Sequence, residues 1–333
     1  MAMNKHQLPA EVNRKRLLRI SSTTNPHFGK NPENRSAPEL LENGCIILDK
    51  PSGPTSHQVV AWVKEILTKE KAGHGGTLDP AVTGILPTAL GDATRALQVL
   101  LLTGKEYVGV MKLHGSVSTK KLKEVCNTFI GEIHQIPPVR SAVKRVKRKR
   151  TIYYLDILEK KGTEVLFCVG CEAGTYIRTL CVDIGKKLGC NAHLSELRRT
   201  KVGKITENVA VTLQEVKDAY QFWKEDGEIK EISKIIKPME FLLQNIPALI
   251  VRDSAVDALC HGANLAIPGV IEVDTDLNKG DTAAVFTQKG EGVALVTMAL
   301  STEEILERDT GICGDLERVL MNKGTYPSFW KKS

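Results

Sequence analysis

The chain has 333 residues, of which 42% are hydrophobic and 26% charged, a composition typical of a soluble protein with a packed core. Its length favours about two domains. No apolar run approaches the roughly 20 residues that a membrane-spanning helix needs, and the amino terminus lacks the apolar segment of a secretory signal. We therefore expect an intracellular protein that does not associate with a membrane.

Eight cysteines are scattered along the chain. An intracellular protein keeps such thiols reduced, so we expect no disulfide framework. Cys168 and Cys171 have the spacing of a zinc-binding pair, but residues 165–171 have the pattern of a strand, on which side chains three apart point to opposite faces. Cys181 falls on the apolar side of a predicted helix. We therefore interpret these cysteines as buried structural thiols and expect no metal site.

The first predicted elements are an arm, a strand and a helix. Residues 1–43 are polar, rich in Asn and Pro and without a clear period, which predicts an extended arm rather than a domain. The apolar run 45–48 predicts a short strand. Ser56 then has a side chain suited to a helix N-cap, and the helix after it would bury one face. The residues of that face are Val59, Val63, Ile66 and Leu67.

A glycine-rich segment follows this helix, Gly73-His74-Gly75-Gly76-Thr77-Leu78-Asp79-Pro80. Glycine lets the backbone bend sharply or approach a ligand closely, and Pro80 biases Asp79 away from helix. The segment therefore predicts a stiff loop that holds one carboxylate in place. Because nothing nearby completes a metal site, nucleophilic or acid–base chemistry is the favoured role, although ordinary turns use the same residue types.

Strands and helices are mixed irregularly after this loop. Residues 107–114, 151–159 and 164–171 alternate as strands do, and the last two predict a hairpin around Gly162. A helix is predicted next, with a buried face at Ile177, Leu180, Cys181, Ile184 and Leu188. Because no repeating strand–helix–strand rhythm is present, we predict an α+β fold with a mixed, largely antiparallel sheet.

The pattern changes near residue 246. From there, short strands alternate with turns, and one short helix is predicted at residues 253–259. This favours a separate, small β-rich domain at the carboxyl end. We therefore divide the chain into an arm at residues 1–43, a larger domain at 44–245, a small domain at 246–323 and a tail at 324–333.

The net charge of +7 is concentrated in the segment from Lys144 to Arg150, which carries six positive charges. Such a run is suited to a phosphate backbone, although a solvated loop or a nuclear localisation signal has the same composition. The strand-like residues 152–155 follow it, which favours a basic hairpin beside a cleft. The residues expected to contact nucleic acid are Arg140, Lys144, Arg145, Lys147 and Arg148.

Five short motifs follow one another between residues 46 and 200. They are Lys50-Pro51-Ser52-Gly53-Pro54-Thr55-Ser56, the Gly73–Pro80 loop with Ala81-Val82-Thr83-Gly84, Lys105-Glu106-Tyr107, Gly174-Thr175-Tyr176-Ile177-Arg178 and Glu196-Leu197-Arg198-Arg199. In this order they resemble the motifs of the TruB family of RNA pseudouridine synthases. A narrower resemblance, from about residue 26 to the carboxyl end, is to the archaeal dyskerin-related catalytic subunits of box H/ACA guide-RNA particles.

The resemblance implies that the chain isomerises uridine in RNA. The base leaves C1′ of its ribose, rotates and rejoins through C5, without a cofactor, after it has left its stack. Asp79 aligns with the family's essential aspartate, either as nucleophile or as the base that takes a ribose proton. Arg178 aligns with the partner that would keep Asp79 ionised in a pocket that excludes water. Tyr107 aligns with the residue that stacks on the flipped base and takes the C5 proton.

Further roles also follow from the resemblance. Tyr176 and Leu197 align with residues that line the uracil pocket, and His74 aligns with a histidine near the original place of the base. Lys50 is expected to support the Asp79 loop. The implied fold is a pseudouridine synthase core with a mixed, largely antiparallel sheet.

The β-rich end resembles a PUA domain, a small RNA-binding module. The resemblance implies that the backbones of Gly262, Ala263 and the Pro268-Gly269 turn approach RNA. It also implies that the arm packs against the carboxyl-terminal domain, as in the resembling archaeal proteins.

The narrower resemblance implies partners: a guide RNA, a substrate RNA and small ribonucleoprotein subunits. A stand-alone synthase for the T-loop uridine of tRNA is the alternative within the same chemistry. A non-catalytic RNA-binding scaffold is the alternative from another class, and the presence of Asp79, Tyr107 and Arg178 disfavours it. The chain lacks the long Lys-rich tails of eukaryotic dyskerins, which favours a cytoplasmic archaeal protein over a nucleolar one.

Overall fold

Two sheets organise the part of the chain that this computed structural model describes, residues 6–137, 146–227 and 229–328. The larger sheet contains β2 Gly44–Lys50, β3 Ala72–His74, β4 Thr83–Leu90, β5 Lys105–Leu113, β6 Gly131–Gln135, β7 Arg148–Lys161, β8 Glu164–Cys171, β9 Ala192–Val202, β10 Ile205–Thr206 and β11 Lys237–Pro238. The smaller sheet contains β1 Arg16–Leu18, β12 Ala248–Val251, β13 Leu265–Ala266, β14 Val270–Asp274, β15 Thr282–Thr287, β16 Gly292–Met298 and β17 Ile312–Val319.

The helices lie between these strands. They are α1 Ala37–Asn43, α2 Ser56–Leu67, α3 Gln98–Leu101, α4 Thr119–Asn127, α5 Ile177–Leu188, α6 Leu213–Asp226, α7 Ile229–Ile235, α8 Glu240–Leu243, α9 Asp253–Cys260 and α10 Thr302–Glu307. No helix within the described ranges combines the length and apolarity of a membrane span.

The larger sheet has the strand order β11-β2-β4-β9-β5-β8-β7-β6, with β3 beside β4 and β10 beside β9. Its pairs are antiparallel except for β4 with β9. The predicted mixed, largely antiparallel sheet is therefore confirmed. The predicted hairpin is also confirmed as β7 and β8, but β7 begins at Arg148, so the end of the basic run belongs to a strand.

The smaller sheet has the order β1-β14-β12-β15-β16-β17-β13, and β12 pairs with β15 in parallel. One hydrophobic cluster joins the two sheets, because Ile47 of β2 shares it with Leu295 of β16 and with Leu320. These side chains are at most 1% exposed, so apolar packing fixes the small domain against the large one.

Two helices hold the loops of the candidate site. The buried face predicted for α5 is confirmed at all of its positions, so this helix is a rigid support. The predicted cap of α2 is wrong by one residue. Thr55 is the N-cap, since its side chain accepts from the Gln58 backbone N–H and the Gln58 side chain accepts in return from the Thr55 N–H. Ser56 is buried in the first turn and is turned away from the helix end.

The arm contacts both domains. Strand β1 pairs with β14 of the smaller sheet. Residues 6–11 lie instead against the larger sheet, where Leu8 is fully buried, and α1 packs in the hydrophobic cluster of α2 and β2. The arm therefore packs against the small domain through its middle, at β1, and against the large domain through residues 6–11 and α1. The start of the tail is packed as well, because buried Tyr326 donates its hydroxyl to Glu291 Oε2 at 2.7 Å.

The cysteines are all free. Cys171 is buried and Cys168 half-buried on β8, and Cys181 is buried on α5. Within the described ranges, no group of three or more His, Cys, Asp or Glu side chains is arranged to hold a metal ion.

Candidate active site

The Asp79 loop connects β3 and β4, and its backbone is tied to neighbouring chain segments. The Gly75 N–H donates to Pro87 O at 2.8 Å, and the Gly53 N–H donates to Pro80 O at 2.9 Å. The Val82 N–H donates back to Asp79 O at 3.0 Å, which closes a turn around Pro80. These bonds give the stiffness that the Gly-rich, Pro-containing sequence predicts.

Lys50 holds the loop from below. Its side chain is fully buried, and its Nζ donates to Pro51 O at 2.8 Å, Pro80 O at 3.0 Å and Val82 O at 2.9 Å. Burial lowers the pKa of this amine, while the Asp79 carboxylate opposes that shift. Lys50 thus has the loop-supporting position expected of it, and its ammonium group donates to three carbonyl oxygens.

Ser56 holds the loop from the side of α2. Its hydroxyl donates to Leu78 O at 3.1 Å and accepts from the Leu78 N–H at 2.9 Å. Both backbone groups of the residue before Asp79 are therefore satisfied by one buried side chain. This role is not visible in the sequence, because a Ser at a helix start has the residue type of a cap whether or not it serves as one.

Asp79 and Arg178 form the centre of the site. Arg178 Nη2 donates to Asp79 Oδ2 at 2.6 Å. The side chains are 55% and 59% exposed for Arg178 and Asp79, respectively. The expectation of a pocket that excludes water is therefore wrong for the free chain. The loop projects the Asp79 carboxylate into solvent, where Arg178 in the first turn of α5 contacts it.

Tyr107 lies on β5 directly opposite Arg199 of β9. The Arg199 guanidinium is buried and contacts the Tyr107 hydroxyl, donates from Nε to Ile85 O at 2.8 Å and donates from Nη2 to Gly76 O at 3.1 Å. Burial raises the pKa of Tyr107, an effect that Arg199 opposes, and burial lowers the pKa of Arg199. One buried cation therefore joins β4, the Asp79 loop and Tyr107.

Arg199 is a site residue to which the sequence analysis gave no role. It occurs in the quoted motif, but charged residues are seldom buried, and nothing in the pattern of β9 distinguishes it from half-buried Arg198 beside it. Gly84 indicates how closely the strands approach, since a Cβ there would lie 2.2 Å from Arg199 O. That signal becomes visible only once the strand pairing is known.

Tyr176 and Leu197 border the same region. Tyr176 is the N-cap residue of α5, and its backbone exchanges two hydrogen bonds with the Gln135 side chain, at 2.9 and 3.1 Å. Leu197 lies on β9 opposite Gly109, at the edge of the hydrophobic cluster that Tyr107 also contacts. Both side chains are half-buried, as a wall that a base could contact requires.

His74 closes the other side of the loop. It is the last residue of β3, and its ring meets the ring of His57 edge-on with centroids 5.0 Å apart. Burial is the main cause that lowers the pKa of His74, with His57 and Arg199 contributing. The imidazole is therefore held towards its neutral form beside the loop.

The basic hairpin adjoins this site through Gln135. Arg148 begins β7 and pairs with Gln135 of β6, whose side chain holds the start of α5, and Lys147 before it is exposed. Three of the residues expected to contact nucleic acid, Arg140, Lys144 and Arg145, lie outside the described residues. The described part of the hairpin thus brings positive charge to the end of the sheet where Gln135 binds the backbone of Tyr176.

The residues expected to meet RNA in the small domain differ in exposure. Gly262 and Ala263 are exposed just after α9, and Gly262 has φ +100°, which favours glycine. Gly269 is buried, and a Cβ there would lie 2.9 Å from the Ala255 Cβ. This glycine permits close packing of the turn against α9, and the RNA contact expected of the Pro268-Gly269 turn stays a prediction.

Four protein-family models match parts of the chain. The model of the TruB family pseudouridylate synthase N-terminal domain matches residues 64–177, and that of the tRNA pseudouridylate synthase B C-terminal domain matches residues 178–244. A PUA domain matches residues 247–320 and a DKCLD domain residues 5–60. The two pseudouridylate synthase models together cover residues 64–244, and with the PUA domain behind them they place the chain among RNA-modifying enzymes.

Whole-chain comparisons agree. The chain is 54% identical to a probable tRNA pseudouridine synthase B of Methanosarcina acetivorans, with 98% of this chain and 96% of the relative aligned. It is 50% identical to the protein of the same name in Pyrococcus abyssi, over 97% of both chains. The chain belongs to the TruB family of pseudouridine synthases.

Two solved structures show the same fold along nearly the whole chain. A chain in the crystal structure of a Cbf5-Nop10-Gar1 complex superposes with a TM-score of 0.94 at 49% identity, covering 98% of this chain and 99% of that one. A chain in the structure of an H/ACA RNP bound to a substrate RNA containing 2′-deoxyuridine superposes with a TM-score of 0.92 at 47% identity, covering 98% and 100%.

Proposed function

We propose that the chain converts specific uridines in RNA to pseudouridine as the catalytic subunit of a box H/ACA guide-RNA particle, with rRNA as its substrate and tRNA as a further candidate substrate. The observation that carries the chemistry is the 2.6 Å contact between Arg178 and Asp79 in a TruB-family chain, beside Tyr107. The similarity to chains in an H/ACA RNP and in a Cbf5-Nop10-Gar1 complex supports the guide RNA and the small protein subunits as partners.

Asp79 is the group that promotes cleavage of the glycosidic bond. It does so by attacking the ribose or by removing a ribose proton, and both routes need an ionised carboxylate at this place. Arg178 keeps the negative charge in one position, and its side chain is 55% exposed. Asp79 stays exposed in the free chain, so the extruded nucleotide itself supplies the cover that removes water.

Tyr107 accepts the proton that leaves C5 of the rotated base. Its hydroxyl lies beside the Arg199 guanidinium, which opposes the rise in its pKa. The phenol proton passes to solvent first, and the phenolate, stabilised by this guanidinium, then accepts the C5 proton. Tyr176 and Leu197 supply the walls against which the uracil rotates, and neutral His74 lies where the base left its stack. No step in this scheme calls for a cofactor or a metal ion.

RNA is held by two regions outside this pocket. The basic segment with Arg140, Lys144, Arg145, Lys147 and Arg148 contacts phosphates close to the target nucleotide. The small domain at residues 246–323 binds the guide RNA through the exposed turn at Gly262 and Ala263. Residues 44–245 are the catalytic domain in this proposal, and the cytoplasm is its location.

Replacement of Asp79 by Asn tests the chemistry. The uridine C5 proton is lost in the reaction, so release of tritium from [5-³H]uridine in the RNA measures turnover directly. We expect Asp79→Asn to release no tritium above background while it binds RNA as the unaltered chain does. Asp309→Asn, which changes a fully exposed carboxylate in the small domain, is the matched control. Wild-type release by Asp79→Asn would refute the assignment.

Guide dependence is tested by supplying tRNA and rRNA fragments with and without guide RNA and small protein subunits. We expect conversion of the rRNA uridine only in the presence of the guide. The names of the relatives favour a second candidate, a stand-alone tRNA enzyme, and full activity on tRNA alone with none on guided rRNA would establish it instead. Binding of every RNA without conversion of any would leave the scaffold role.

A further inference from the structure

A β-bulge lies between β5 and β9 beside the candidate site. Glu106 pairs with Lys201, but the next residue, Tyr107, pairs with Arg199. Thr200 is therefore the extra residue of the bulge. Residues directly opposite each other in a sheet project to the same face, so the bulge puts the Arg199 side chain beneath Tyr107. Without it, Tyr107 would pair with Thr200 and the guanidinium would point to the other face.

Glu106 holds the bulge from the opposite face of the sheet. Its Oε1 accepts from the Thr200 hydroxyl at 2.8 Å, and its Oε2 accepts from the Tyr154 hydroxyl at 2.5 Å. Lys201 Nζ lies 3.5 Å from the same Oε2. The Glu106 side chain is 14% exposed, and Tyr154 and Thr200 are buried, so these bonds compete little with water.

The amino-terminal arm completes this cluster. Glu11 Oε1 accepts from Lys201 Nζ at 3.2 Å, and Glu11 Oε2 accepts from the Leu8 N–H at 2.7 Å. Leu8 is fully buried. A Cβ at Gly104, just before β5, would lie 3.5 Å from Leu8 Cδ2, so the arm covers the start of the strand that carries Tyr107.

We propose that Glu106, together with Thr200, Tyr154, Lys201 and Glu11 of the arm, is a positioning cluster that locks the bulge and so keeps Tyr107 against Arg199 for proton transfer. Glu106 touches neither Tyr107 nor Asp79 through its side chain and acts through strand register. The arm segment 6–11 is thereby a working part of the catalytic domain. This inference rests on the proposed function for its effect on turnover, and on the geometry alone for its effect on Tyr107.

Glu106→Gln is the informative variant. A carboxylate accepts from Thr200, Tyr154 and Lys201 at once, whereas an amide offers one acceptor oxygen and turns two further N–H donors towards them. We expect kcat to fall about 10- to 100-fold, the range in which small misplacements of reacting groups act. The KM for RNA should stay within about twofold, because no group that contacts RNA changes.

A second readout needs neither RNA nor turnover. The chain has six tyrosines, so ¹³Cζ-tyrosine labelling gives few resonances, and the Tyr107 signal is the one that Tyr107→Phe removes. Separation from Arg199 takes a stabilising charge from the phenolate, so Glu106→Gln should move the titration of Tyr107 to higher pH. Glu11→Gln should shift it in the same direction.

Glu164→Gln is the matched control. Glu164 lies on β8 opposite the far end of β5 and pairs with Lys112 at 3.1 Å in an exposed position, so kcat and the Tyr107 titration should not change. If Glu106→Gln does not fold, the test is repeated with Thr200→Val. This nearly isosteric change removes only the hydrogen bond from the Thr200 hydroxyl to Glu106.

The outcomes separate the two proposals. A lower kcat with a shifted Tyr107 titration supports the cluster, and an unshifted titration with wild-type kcat overturns it. If the unaltered chain converts no uridine in any RNA, the proposed function fails. In that case the Tyr107 titration still decides whether Glu106 holds the register.

Discussion

Arg178 and Asp79 are 99 residues apart in the chain, yet Nη2 and Oδ2 are 2.6 Å apart. Each is supported from its own side: Asp79 by a loop that Lys50 and Ser56 hold, and Arg178 by the first turn of α5, whose other face is buried in the large domain. The pair therefore depends on how α5 packs on the sheet as much as on either side chain.

Replacement of Arg178 separates its electrostatic role from stability. We expect Arg178→Met to lower kcat about 10²- to 10³-fold, the usual cost of losing one charge-stabilising group. Stability should change by less than about 1 kcal/mol, since exposed ion pairs contribute little. Tritium release and urea unfolding measure the two effects. Arg308→Met, which removes an exposed pair with Glu304, should leave both unchanged, and equal losses of activity in the two variants would contradict the role.

Ser56 and Thr55 form a matched pair for testing loop support. Ser56→Ala removes two hydrogen bonds to Leu78, and Thr55→Ala removes the N-cap of the same helix. Both should lower the free energy of unfolding by about 1–2 kcal/mol. Only Ser56→Ala should also lower kcat, because it frees the residue before Asp79. If Ser56→Ala and Thr55→Ala have the same kcat, the loop keeps its shape without the Ser56 hydroxyl.

The burial of Lys105 predicts that the free energy of unfolding rises with pH over a defined range. Burial lowers its pKa from the usual 10.5 to about 7, and its Nζ donates to Leu100 O at 2.8 Å. Between these two values the unfolded chain binds one more proton than the folded chain. The contribution of Lys105 to the free energy of unfolding therefore rises with pH, by up to about 1.4 kcal/mol per unit.

Urea unfolding at pH 6.5, 8 and 9.5 measures this contribution. Methionine does not titrate, so wild type should gain stability relative to Lys105→Met as the pH rises through this window. Lys112→Met changes a more exposed lysine on the same strand and should run parallel to wild type. Parallel curves for Lys105→Met as well would show that Lys105 keeps its ordinary pKa.

The basic segment is expected to set the salt dependence of RNA binding. Replacing Lys144, Arg145, Lys147 and Arg148 by Gln should weaken binding and reduce the slope of log affinity against log salt by about 0.7 for each phosphate that is no longer neutralised. Filter binding between about 50 and about 300 mM salt measures the slope. The control replaces Lys160 and Lys161, at the opposite end of β7, and an equal change in slope there would indicate nonspecific charge attraction.

Local patterns were sufficient for several elements. The buried face of α5 and the β7–β8 hairpin follow from periodicities of 3.6 and 2 residues, which the chain carries without reference to distant segments. The five ordered motifs were sufficient for the family. The contact between Asp79 and Arg178 was anticipated from the family resemblance and not from spacing, since nothing local relates two residues so far apart.

The amino-acid sequence by itself determined the family, the element types and the residues available for chemistry. Only the tertiary structure decided that Asp79 is exposed, that Gly269 is buried and that Arg199 lies beneath Tyr107. The physical reason is that burial and register depend on pairing between distant strands. A single-residue bulge reverses the face to which a side chain points and leaves no mark in the pattern of either strand.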